Sequence, residues 1–528
     1  MSRLRVALLQ LRAFDVGEAD ACLRHTLEAI DEAAGAKPSL VVLPEMAYPA
    51  YFLGGAPADA FGAEKALEAL RDRARTHGFS LAAGLALPAG DGGLVNGAVF
   101  IGPDGSVLGR YAKAFLWHFD RRWFRPGAAY PVIDAPFGRV GMLICADGRL
   151  PEIARCLAVG GARLLIDLTA WVAWGLDPGD LTSVQREYLM RARAIENGVP
   201  VVAADKAGVE QNTIVYCGRS CVIGPDGELL ASLGPDEEGV LLHDLELPEA
   251  PRPPTVRRPG LYRALVEPTA SLPVTRALGE LVAAPDESRR VAAVQALAPE
   301  GEALLPFLER WLRLLAAQDC DLALFPAPPL SARPVGEGVR EAVARLTGEA
   351  GVDACVTVVE ERDGRRGRVA YVCSRGRVAL AHRQTHGAGI DAGDAPCPVA
   401  ETALGATGVL VADEGLAPEV ARSLMLRGAE ALLWAEAAPE RDVAIIARTR
   451  ADENRCALAV ACLPSPNGAT LVVSPQGQIV AAALRGREMA CHGQVNRALA
   501  HWKDMAPGTH VVYGRQPETY GALVAPQE

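Results

Sequence analysis

Short apolar runs alternate with longer amphipathic stretches from the start of the chain. Leu4–Gln10, Leu40–Leu43 and Ser80–Ala86 are apolar enough to form buried strands, whereas Ala19–Ala34 and Ala63–His77 place apolar residues at helical spacing. Strands that alternate with helices are typical of α/β domains. The N-terminal part of the chain is therefore predicted to have an α/β fold.

The alternation continues and then breaks at a proline-rich segment. A hairpin is predicted around Gly102–Gly105, a strand over Val140–Cys145 followed by a helix over Pro151–Val159, and a long helix over Thr182–Asn197. Pro248–Gly260 has too many prolines for a helix or a central strand. We predict that the first folded unit closes near this segment.

The second half of the chain repeats the first half weakly but in the same order. The matched segments are Arg5–Gln10 with Arg290–Gln295, Val41–Glu45 with Ala323–Ala327, Gly138–Glu152 with Gly405–Glu419, Glu196 and Asn197 with Glu453 and Asn454, Pro225–Gly227 with Pro475–Gly477, and Arg257–Tyr262 with Arg515–Tyr520. An ordered series of this kind indicates a tandem duplication. We predict a first domain over 1–266, a linker over 267–288 and a second domain over 289–528.

Composition narrows the class of protein. A chain of 528 residues is too long for one ordinary core, and its net charge of −11 comes from interspersed acids and bases, which argues against nucleic acid as a partner. The sequence lacks both a secretory signal and an apolar run long enough to span a membrane, so we expect a cytoplasmic protein without a membrane partner. Twelve cysteines without CxxC pairs or metal-ligand spacing predict reduced thiols, no metal and no cofactor.

Three polar residues of the first copy each end an apolar strand. They are Glu45 after Val41–Pro44, Lys113 after Leu108–Ala112 and Cys145 after Val140–Ile144. Reactive groups of α/β proteins collect at the carboxyl ends of strands, and a thiol at the start of a helix is expected to favour the thiolate. Alone, each residue is more often structural. Together, a thiol, a carboxylate and an ammonium form a complete set for acyl transfer.

The segments around these residues resemble the nitrilase, or carbon-nitrogen hydrolase, superfamily. The matching motifs are Leu43–Met46, Tyr111–Lys113 with Trp117–Gly127, Ile144–Glu152 and Arg193–Pro200. The resemblance implies an α-β-β-α sandwich, and the duplication then implies two tandem sandwich domains. Because members of the superfamily commonly dimerise, the two domains are expected to form an intramolecular pseudo-dimer, and a further homo-oligomer stays open.

The resemblance also implies roles for individual residues. Glu45 would be the general base, Lys113 the stabiliser of the oxyanion, and Cys145 the nucleophile that forms a thioester, with the Ala146 N–H as a second oxyanion donor. Asp120 occupies the position where the family commonly has a second glutamate. Because aspartate is one methylene shorter, we expect its contacts to need a shifted backbone or a water molecule.

The substrate is less closely defined. Tyr48, Trp117 and Trp171 are candidate walls of a pocket, and Arg149 is a candidate partner for a substrate carboxylate, although each could equally be structural. An aliphatic amide or ω-amide, an N-carbamoyl amino acid and a carbamoyl amine all remain open, and a nitrile is less expected. The proposed reaction is hydrolysis of a small-molecule carbon-nitrogen bond other than a peptide bond, with release of ammonia.

In the second copy all three catalytic positions are replaced. Glu45 aligns with Ala327, Lys113 with Gln384 and Cys145 with Ala412, so the second domain is predicted to be degenerate. Two alternatives remain for the whole chain: a non-catalytic scaffold, and an acyltransferase of the same superfamily. Fast alkylation of Cys145 by iodoacetamide is expected of an active enzyme and slow alkylation of a scaffold.

Overall fold

The computed structural model describes residues 2–55, 62–90, 92–280, 288–297, 299–437 and 443–526. It divides into two compact units. The first unit comprises Met1–Pro254 and Ala506–His510, and the second comprises Thr255–Met505 and Val511–Glu528. Both units alternate strands with helices, as an α/β fold requires.

Up to Pro254, the first unit contains fifteen strands and four α-helices among its described residues. In chain order they are β1 (Ser2–Arg12), α1 (Ala19–Ala34), β2 (Leu40–Val42), α2 (Ala63–His77), β3 (Ser80–Pro88), β4 (Leu94–Ile101), β5 (Val107–Ala112), β6 (Val132–Ala135), β7 (Gly138–Ile144), α3 (Pro151–Val159), β8 (Leu164–Leu168), α4 (Met190–Asn197), β9 (Val201–Ala204), β10 (Lys206–Ala207), β11 (Val209–Glu210), β12 (Ile214–Val215), β13 (Cys221–Ile223), β14 (Leu229–Ser232) and β15 (Gly239–Leu247).

Two sheets form the centre of this unit. The first has the order β10-β1-β2-β3-β4-β5, with β15 also paired to β1, and the second has the order β14-β13-β9-β8-β7-β6. Strands β7, β8 and β9 are parallel neighbours, and β8 and β9 are buried along their whole length. Parallel strands of this kind are covered on both faces, which explains their continuous apolar sequences. The parallel arrangement brings the carboxyl ends of neighbouring strands to one edge.

Helices α1 and α2 cover the outer face of the first sheet. Leu9 of β1, Ile30 of α1 and Leu70 of α2 belong to one buried apolar cluster. Leu9 and Ile30 are fully buried, and Leu70 is exposed by only 1%. Burial of side chains of this size contributes roughly 1.5–3 kcal/mol each, which fixes the helices on the sheet.

The second unit repeats this arrangement. Its elements, in chain order, are α5 (Pro273–Glu280), β16 (Ser288–Gln295), α6 (Leu304–Ala316), β17 (Leu322–Leu324), α7 (Val339–Ala350), β18 (Asp353–Arg362), β19 (Arg365–Ser374), β20 (Arg377–Arg383), β21 (Val399–Thr402), β22 (Gly405–Val411), α8 (Pro418–Leu426), β23 (Ala431–Ala435), α9 (Ala444–Asn454), β24 (Ala457–Ala461), β25 (Leu471–Val473), β26 (Ile479–Ala482), β27 (Met489–Asn496), α10 (Arg497–His501) and α11 (Gly521–Val524). The short strand β28 (Asp504–Ala506) follows α10 in the chain, and the next short strand, β29 (Thr509–His510), lies in the segment Ala506–His510 of the first unit.

Alternate residues of β16 show how the layers of the second unit pack. Val291 and Ala293 face a cluster that also contains residues of β22, β23 and β24, so this cluster lies between the two sheets. Ala292 and Val294 face a second cluster with residues of α6 and α7. The two-residue period of a strand thus places one face against a sheet and the other against helices. The sheet orders are β20-β19-β18-β17-β16-β27 and β21-β22-β23-β24-β25-β26.

The boundary between the units differs from the predicted domain boundary. Residues 255–266 were assigned to the first domain by the sequence pattern but belong to the second unit. The reason lies in their polar contacts, because Arg257 pairs with Glu419 at 3.3 Å and the Tyr262 hydroxyl lies 2.6 Å from His386 Nε2. The predicted linker 267–288 includes helix α5, and its residues 281–287 lie outside the described residues.

None of the helices in the described part of the chain has both the length and the apolar character needed to cross a membrane.

Candidate active site

The three predicted catalytic residues lie where strands end, and all are buried. Glu45 follows β2, Lys113 directly follows β5, and Cys145 directly follows β7. Glu45 and Lys113 are fully buried, and Cys145 is exposed by only 6%. Lys113 Nζ donates a hydrogen bond to Glu45 Oε1 at 2.7 Å, so the base and the ammonium meet as the sequence predicts.

The Glu45 carboxylate is held by groups from neighbouring strands. Asn96 on β4 donates to Glu45 Oε1 at 2.6 Å, and the Glu45 backbone N–H donates to the Thr169 carbonyl at 3.2 Å. Gly84 on β3 allows this packing, because a Cβ at that position would lie 2.5 Å from the Pro44 oxygen. Glu45 Oε2 has no hydrogen-bond partner among the described residues. This second oxygen is therefore available to accept a proton from a reacting group.

Lys113 bridges two carboxylates. Its Nζ donates to Asp120 Oδ2 at 2.8 Å as well as to Glu45. Burial alone would lower the pKa of Lys113, but Asp120 and Glu45 raise it well above its usual value. Burial raises the pKa of Glu45, and the Lys113 ammonium opposes that rise. A charged ammonium beside a carboxylate of raised pKa suits a general base and an oxyanion stabiliser.

Asp120 reaches Lys113 directly. Of the two expected means, a bridging water is not needed, because a 3₁₀ turn over His118–Arg122 brings the shorter side chain within 2.8 Å of Nζ. Asp120 Oδ2 also accepts from the Trp117 N–H at 3.0 Å, which fixes the turn. Thr509, in the C-terminal segment that belongs to this unit, accepts from the His118 N–H at 2.7 Å.

Cys145 has a strained backbone. Its φ of 47° lies in the left-handed region, which costs a residue with a Cβ about 1–2 kcal/mol. Two hydrogen bonds hold this conformation: the Cys145 N–H donates to Asp167 Oδ1 at 2.9 Å, and the Cys145 carbonyl accepts from Gln185 Nε2 at 2.7 Å. Gln185 begins a π-helical turn over Gln185–Leu189, inside the helix predicted for Thr182–Asn197, and such turns are frequent at functional sites.

The surroundings of the thiol differ from those expected in one respect. The helix that begins at Cys145 is a short 3₁₀ turn over Cys145–Arg149, and α3 begins at Pro151 as predicted. Burial raises the pKa of Cys145 well above its usual value, Glu45 raises it further, and Lys113 only partly opposes them. A raised pKa favours the thiol over the thiolate at neutral pH, so slow alkylation there would not distinguish a scaffold from an enzyme.

We expect alkylation of Cys145 by iodoacetamide to accelerate continuously from pH 6 to about pH 9, because the thiolate fraction grows throughout this range when the pKa lies above it. Peptide mapping after timed quenching would measure the rate constant at each pH. A plateau reached below pH 7 would contradict a raised pKa. Cys156, on α3 of the same unit, is a suitable internal reference.

The residues predicted to line the pocket lie in different surroundings. Burial raises the pKa of Tyr48, and the next contributions come from Asp20 and Cys22, so this side chain faces α1. The Arg149 guanidinium lies 4.6 Å from the centroid of the partly exposed Trp117 ring, and Arg149 Nε donates to Gln185 Oε1 at 3.2 Å.

Trp171 is fully buried just past the end of β8, and its backbone N–H donates to Asp205 Oδ1 at 2.9 Å. The preceding residue, Ala170, supplies a backbone hydrogen bond that acts on the Cys145 thiol. Trp171 therefore follows a residue in contact with Cys145. Ala146 is fully buried next to Cys145, and its role as an oxyanion donor stays a prediction.

Sequence reasoning missed several residues around the catalytic group. The Tyr51 ring lies 5.8 Å from Lys113 Nζ, and Asp120, Glu45 and Cys145 all contribute to its raised pKa after the larger effect of burial. Asn96 was overlooked although it is a polar residue within an apolar strand, the same signal that identified Glu45. Asp167 interrupts β8 in the same way.

At the equivalent positions, the second unit has a similar backbone conformation but lacks the catalytic side chains. Ala412 directly follows β22 with a φ of 49°, close to that of Cys145. The Ala327 N–H donates to the Glu436 carbonyl, as the Glu45 N–H does to Thr169. Gln384 Oε1 accepts from Arg368 at 3.1 Å, so a neutral amide lies where the first unit has an ammonium.

The two repeats match the same protein family. A carbon-nitrogen hydrolase model matches residues 5–251 and again residues 290–503. The chain belongs to the carbon-nitrogen hydrolase family. The resemblance found in the sequence is thus confirmed for both copies, and with it two tandem α/β sandwich domains of the carbon-nitrogen hydrolase type.

Several named relatives are similar to one copy rather than to the whole chain. An omega-amidase, NIT2, of Homo sapiens is 32% identical over 261 residues, which cover 47% of this chain and 90% of the human protein. A probable nitrilase of Schizosaccharomyces pombe is 33% identical over 183 residues, which cover 33% of this chain and 64% of that protein. An N-carbamoylputrescine amidase of Solanum lycopersicum is 32% identical over 200 residues, covering 34% and 66%. This carbon-nitrogen hydrolase thus has amidase-named relatives of more than one kind.

Proposed function

We propose that the first unit hydrolyses a small amide or N-carbamoyl compound through a thioester on Cys145 and releases ammonia. The observation that carries this proposal is the buried bridge in which Lys113 Nζ contacts both Glu45 and Asp120. Two carboxylates around one buried ammonium are costly to desolvate and are a poor choice for stability alone. Membership of the carbon-nitrogen hydrolase family supports the same reaction type.

The first half of the reaction forms the thioester. Glu45 Oε2 accepts the thiol proton as the Cys145 sulfur attacks the carbonyl carbon of the substrate. The Lys113 ammonium and the Ala146 N–H stabilise the negative oxygen of the tetrahedral intermediate. Glu45 then returns the proton to the leaving nitrogen, the carbon-nitrogen bond breaks, and ammonia departs.

The second half regenerates the enzyme. Glu45 takes a proton from a water molecule, which attacks the thioester carbon, and the carbon-sulfur bond breaks as the thiol is protonated again. An amide then gives a carboxylic acid, whereas an N-carbamoyl compound gives an amine, carbon dioxide and ammonia. Hydrolysis differs from acyl transfer in this step alone, because water rather than an amine or alcohol attacks the thioester carbon.

A substrate panel tests the proposal directly. Ammonia release would be measured for aliphatic amides, ω-amides of dicarboxylic acids, N-carbamoyl amino acids and carbamoyl amines, with carbon dioxide measured in parallel. Hydroxylamine should divert part of the product to a hydroxamate, because it captures a thioester. Absence of ammonia across the panel, with a folded protein, would overturn the proposal in favour of a scaffold.

Asp120→Asn should lower kcat/KM by about 10²-fold, because it removes one of the two charges that hold the Lys113 ammonium. The asparagine oxygen can still accept from Lys113 and the Trp117 N–H, so the fold should persist. Asp134→Asn is the matched control, since the Asp134 side chain is 83% exposed. A variant within about threefold of wild type would show that Asp120 is dispensable.

Arg149→Gln should raise KM for substrates that carry a carboxylate and leave KM for neutral amides nearly unchanged. The guanidinium ends the turn that begins with Cys145 and is partly exposed, so it can meet an anionic group. We expect the ratio of the two KM values to change by about tenfold, the effect of one charged contact. Equal changes for both substrate types would assign Arg149 a structural role beside Trp117.

A further inference from the structure

Three potential metal ligands meet in the second unit, and two of them lie two residues along the chain from Gln384 and Ala412, which correspond to catalytic positions. His382 lies on β20, Cys397 just before β21 and Glu414 in the turn that follows β22. All three side chains are buried, with exposed fractions of 4%, 8% and 0%. One ligand atom from each lies within 4.8 Å of the other two.

The contacts converge on a single ring nitrogen. His382 Nε2 lies 3.0 Å from both Glu414 oxygens and 3.5 Å from Cys397 Sγ. One imidazole nitrogen carries at most one proton, so it cannot serve the carboxylate and the sulfur together. A Cys-His-Glu relay would instead place the carboxylate on Nδ1 and the sulfur on Nε2. Three side chains whose ligand atoms converge on one point form the arrangement expected of a metal site.

The distances suit a tetrahedral zinc ion. Zinc bonds of about 2.3 Å to sulfur and about 2.0 Å to nitrogen or oxygen place the ligand atoms of a tetrahedral site roughly 3.3–3.6 Å apart. The nitrogen-to-sulfur separation of 3.5 Å falls in this range, and the nitrogen-to-oxygen separation of 3.0 Å is slightly shorter. A small movement of the carboxylate accommodates the ion.

The equivalent place in the first unit has no such ligand set. There the Tyr111 hydroxyl donates to Asp147 Oδ2 at 2.7 Å, and Asp147 also accepts from the backbone N–H groups of Phe115 and Ile144. That hydrogen bond is sufficient for the same turn to form. A histidine in place of the tyrosine, with a thiol added, therefore goes beyond what the fold requires.

The neighbours of Glu414 already orient it for an ion. Thr385 donates to Glu414 Oε1 from both its N–H and its hydroxyl, each at 2.6 Å, and the Val411 N–H donates to Oε2 at 2.8 Å. Hydrogen bonds from outer residues of this kind fix the orientation of metal-bound carboxylates. Oε2, with a single backbone donor, keeps a lone pair for the ion.

We propose that the second unit binds a zinc ion through His382 Nε2, Cys397 Sγ and the Glu414 carboxylate. A thiolate and a carboxylate together balance the two positive charges of Zn²⁺, and the protons of the thiol and of Nε2 leave to solvent on binding. The fourth position is taken by a water molecule. Such a site departs from the expectation of no metal drawn from cysteine spacing, because its ligands come from three separate elements.

Metal analysis of the full chain tests the proposal. After incubation with Zn²⁺ and exhaustive dialysis, the wild type should retain about one zinc per chain, and both Cys397→Ser and His382→Gln should lose it. Cys320→Ser is the matched control, because Cys320 is a buried cysteine 3.1 Å from the Nδ1 atom of the exposed His492, and this pair is not part of the three-ligand cluster. Cys145→Ala should also keep its zinc, which separates this site from the catalytic cysteine.

Cobalt provides a readout that does not depend on any variant folding. Co²⁺ bound to the wild type should show a thiolate-to-metal charge-transfer band in the near ultraviolet, and added Zn²⁺ should remove it. A wild type that retains no zinc would overturn the proposal, as would zinc retained equally by folded Cys397→Ser or lost with Cys145→Ala. The result does not depend on the proposed hydrolysis, because metal content and ammonia release are measured separately.

Discussion

Cys145→Ala should abolish ammonia release, with kcat at least about 10⁴-fold below wild type, because no other described group near Glu45 and Lys113 can form the acyl intermediate. The substitution removes one buried sulfur and leaves the hydrogen bonds of its backbone to Asp167 and Gln185 in place. Alanine already occupies the same backbone conformation at position 412. The variant should therefore fold, and steady-state ammonia assays with circular dichroism would separate lost chemistry from lost structure.

Two further variants sharpen this result. Cys221→Ala removes another fully buried thiol of the same unit, on β13, and should retain activity. Ala412→Cys restores a cysteine to the second copy and should add no activity to Cys145→Ala, because Ala327 and Gln384 provide neither base nor ammonium. Appreciable turnover by Cys145→Ala itself would refute the assignment of the nucleophile.

Lys113→Met should remove activity and also destabilise the first unit. Methionine has a similar length but leaves Glu45 and Asp120 buried together without a counter-charge. Removing one partner of a buried ion pair typically costs about 3–5 kcal/mol of the free energy of unfolding. Denaturant unfolding monitored by tryptophan fluorescence would measure the loss.

The pH dependence of Lys113→Met provides a second check. Without the ammonium, the pKa of Glu45 should rise further above its usual value, so a proton held on the carboxyl relieves the repulsion in the folded state. The folded protein then binds more protons than the unfolded chain, and the deficit in stability should shrink as the pH falls. Lys65→Met, at an exposed lysine of α2, is the control and should behave as wild type. A pH-independent deficit would contradict the ionic explanation.

The α/β class and the meeting of Glu45 with Lys113 could be predicted from patterns local to the chain. The sandwich fold was implied by the resemblance to the carbon-nitrogen hydrolase superfamily, and the catalytic roles stay predictions. Strands with continuous apolar sequence had to be buried on both faces, and a charged residue at the end of such a strand had to find a partner. That reasoning identified Glu45, Lys113 and Cys145. It also identified Ala412 as a vacated position, because the flanking apolar strand and turn are repeated.

The features that sequence reasoning missed depend on contacts between distant segments. The state of the Cys145 thiol follows from its burial and from the nearby Glu45, neither of which a strand-end motif reveals. Tyr51 rather than Tyr48 meets the catalytic lysine because of how the segment after β2 folds back. The cluster of His382, Cys397 and Glu414 has no spacing signature, since its members come from three separate elements.

The left-handed conformation of Ala412 has a practical meaning for protein engineering. The backbone that presents a nucleophile is the hardest part of such a centre to build. The second unit has this backbone conformation at Ala412, although the residue there is not a cysteine. Installing a second centre in this chain would thus be a matter of side-chain exchange at Ala327, Gln384 and Ala412. Arg368 would also have to become asparagine, because its carbonyl accepts from the Gln384 N–H as the Asn96 carbonyl accepts from the Lys113 N–H, which places Arg368 at the position of Asn96. The duplicated copy is in this sense a ready-made scaffold for a different reaction.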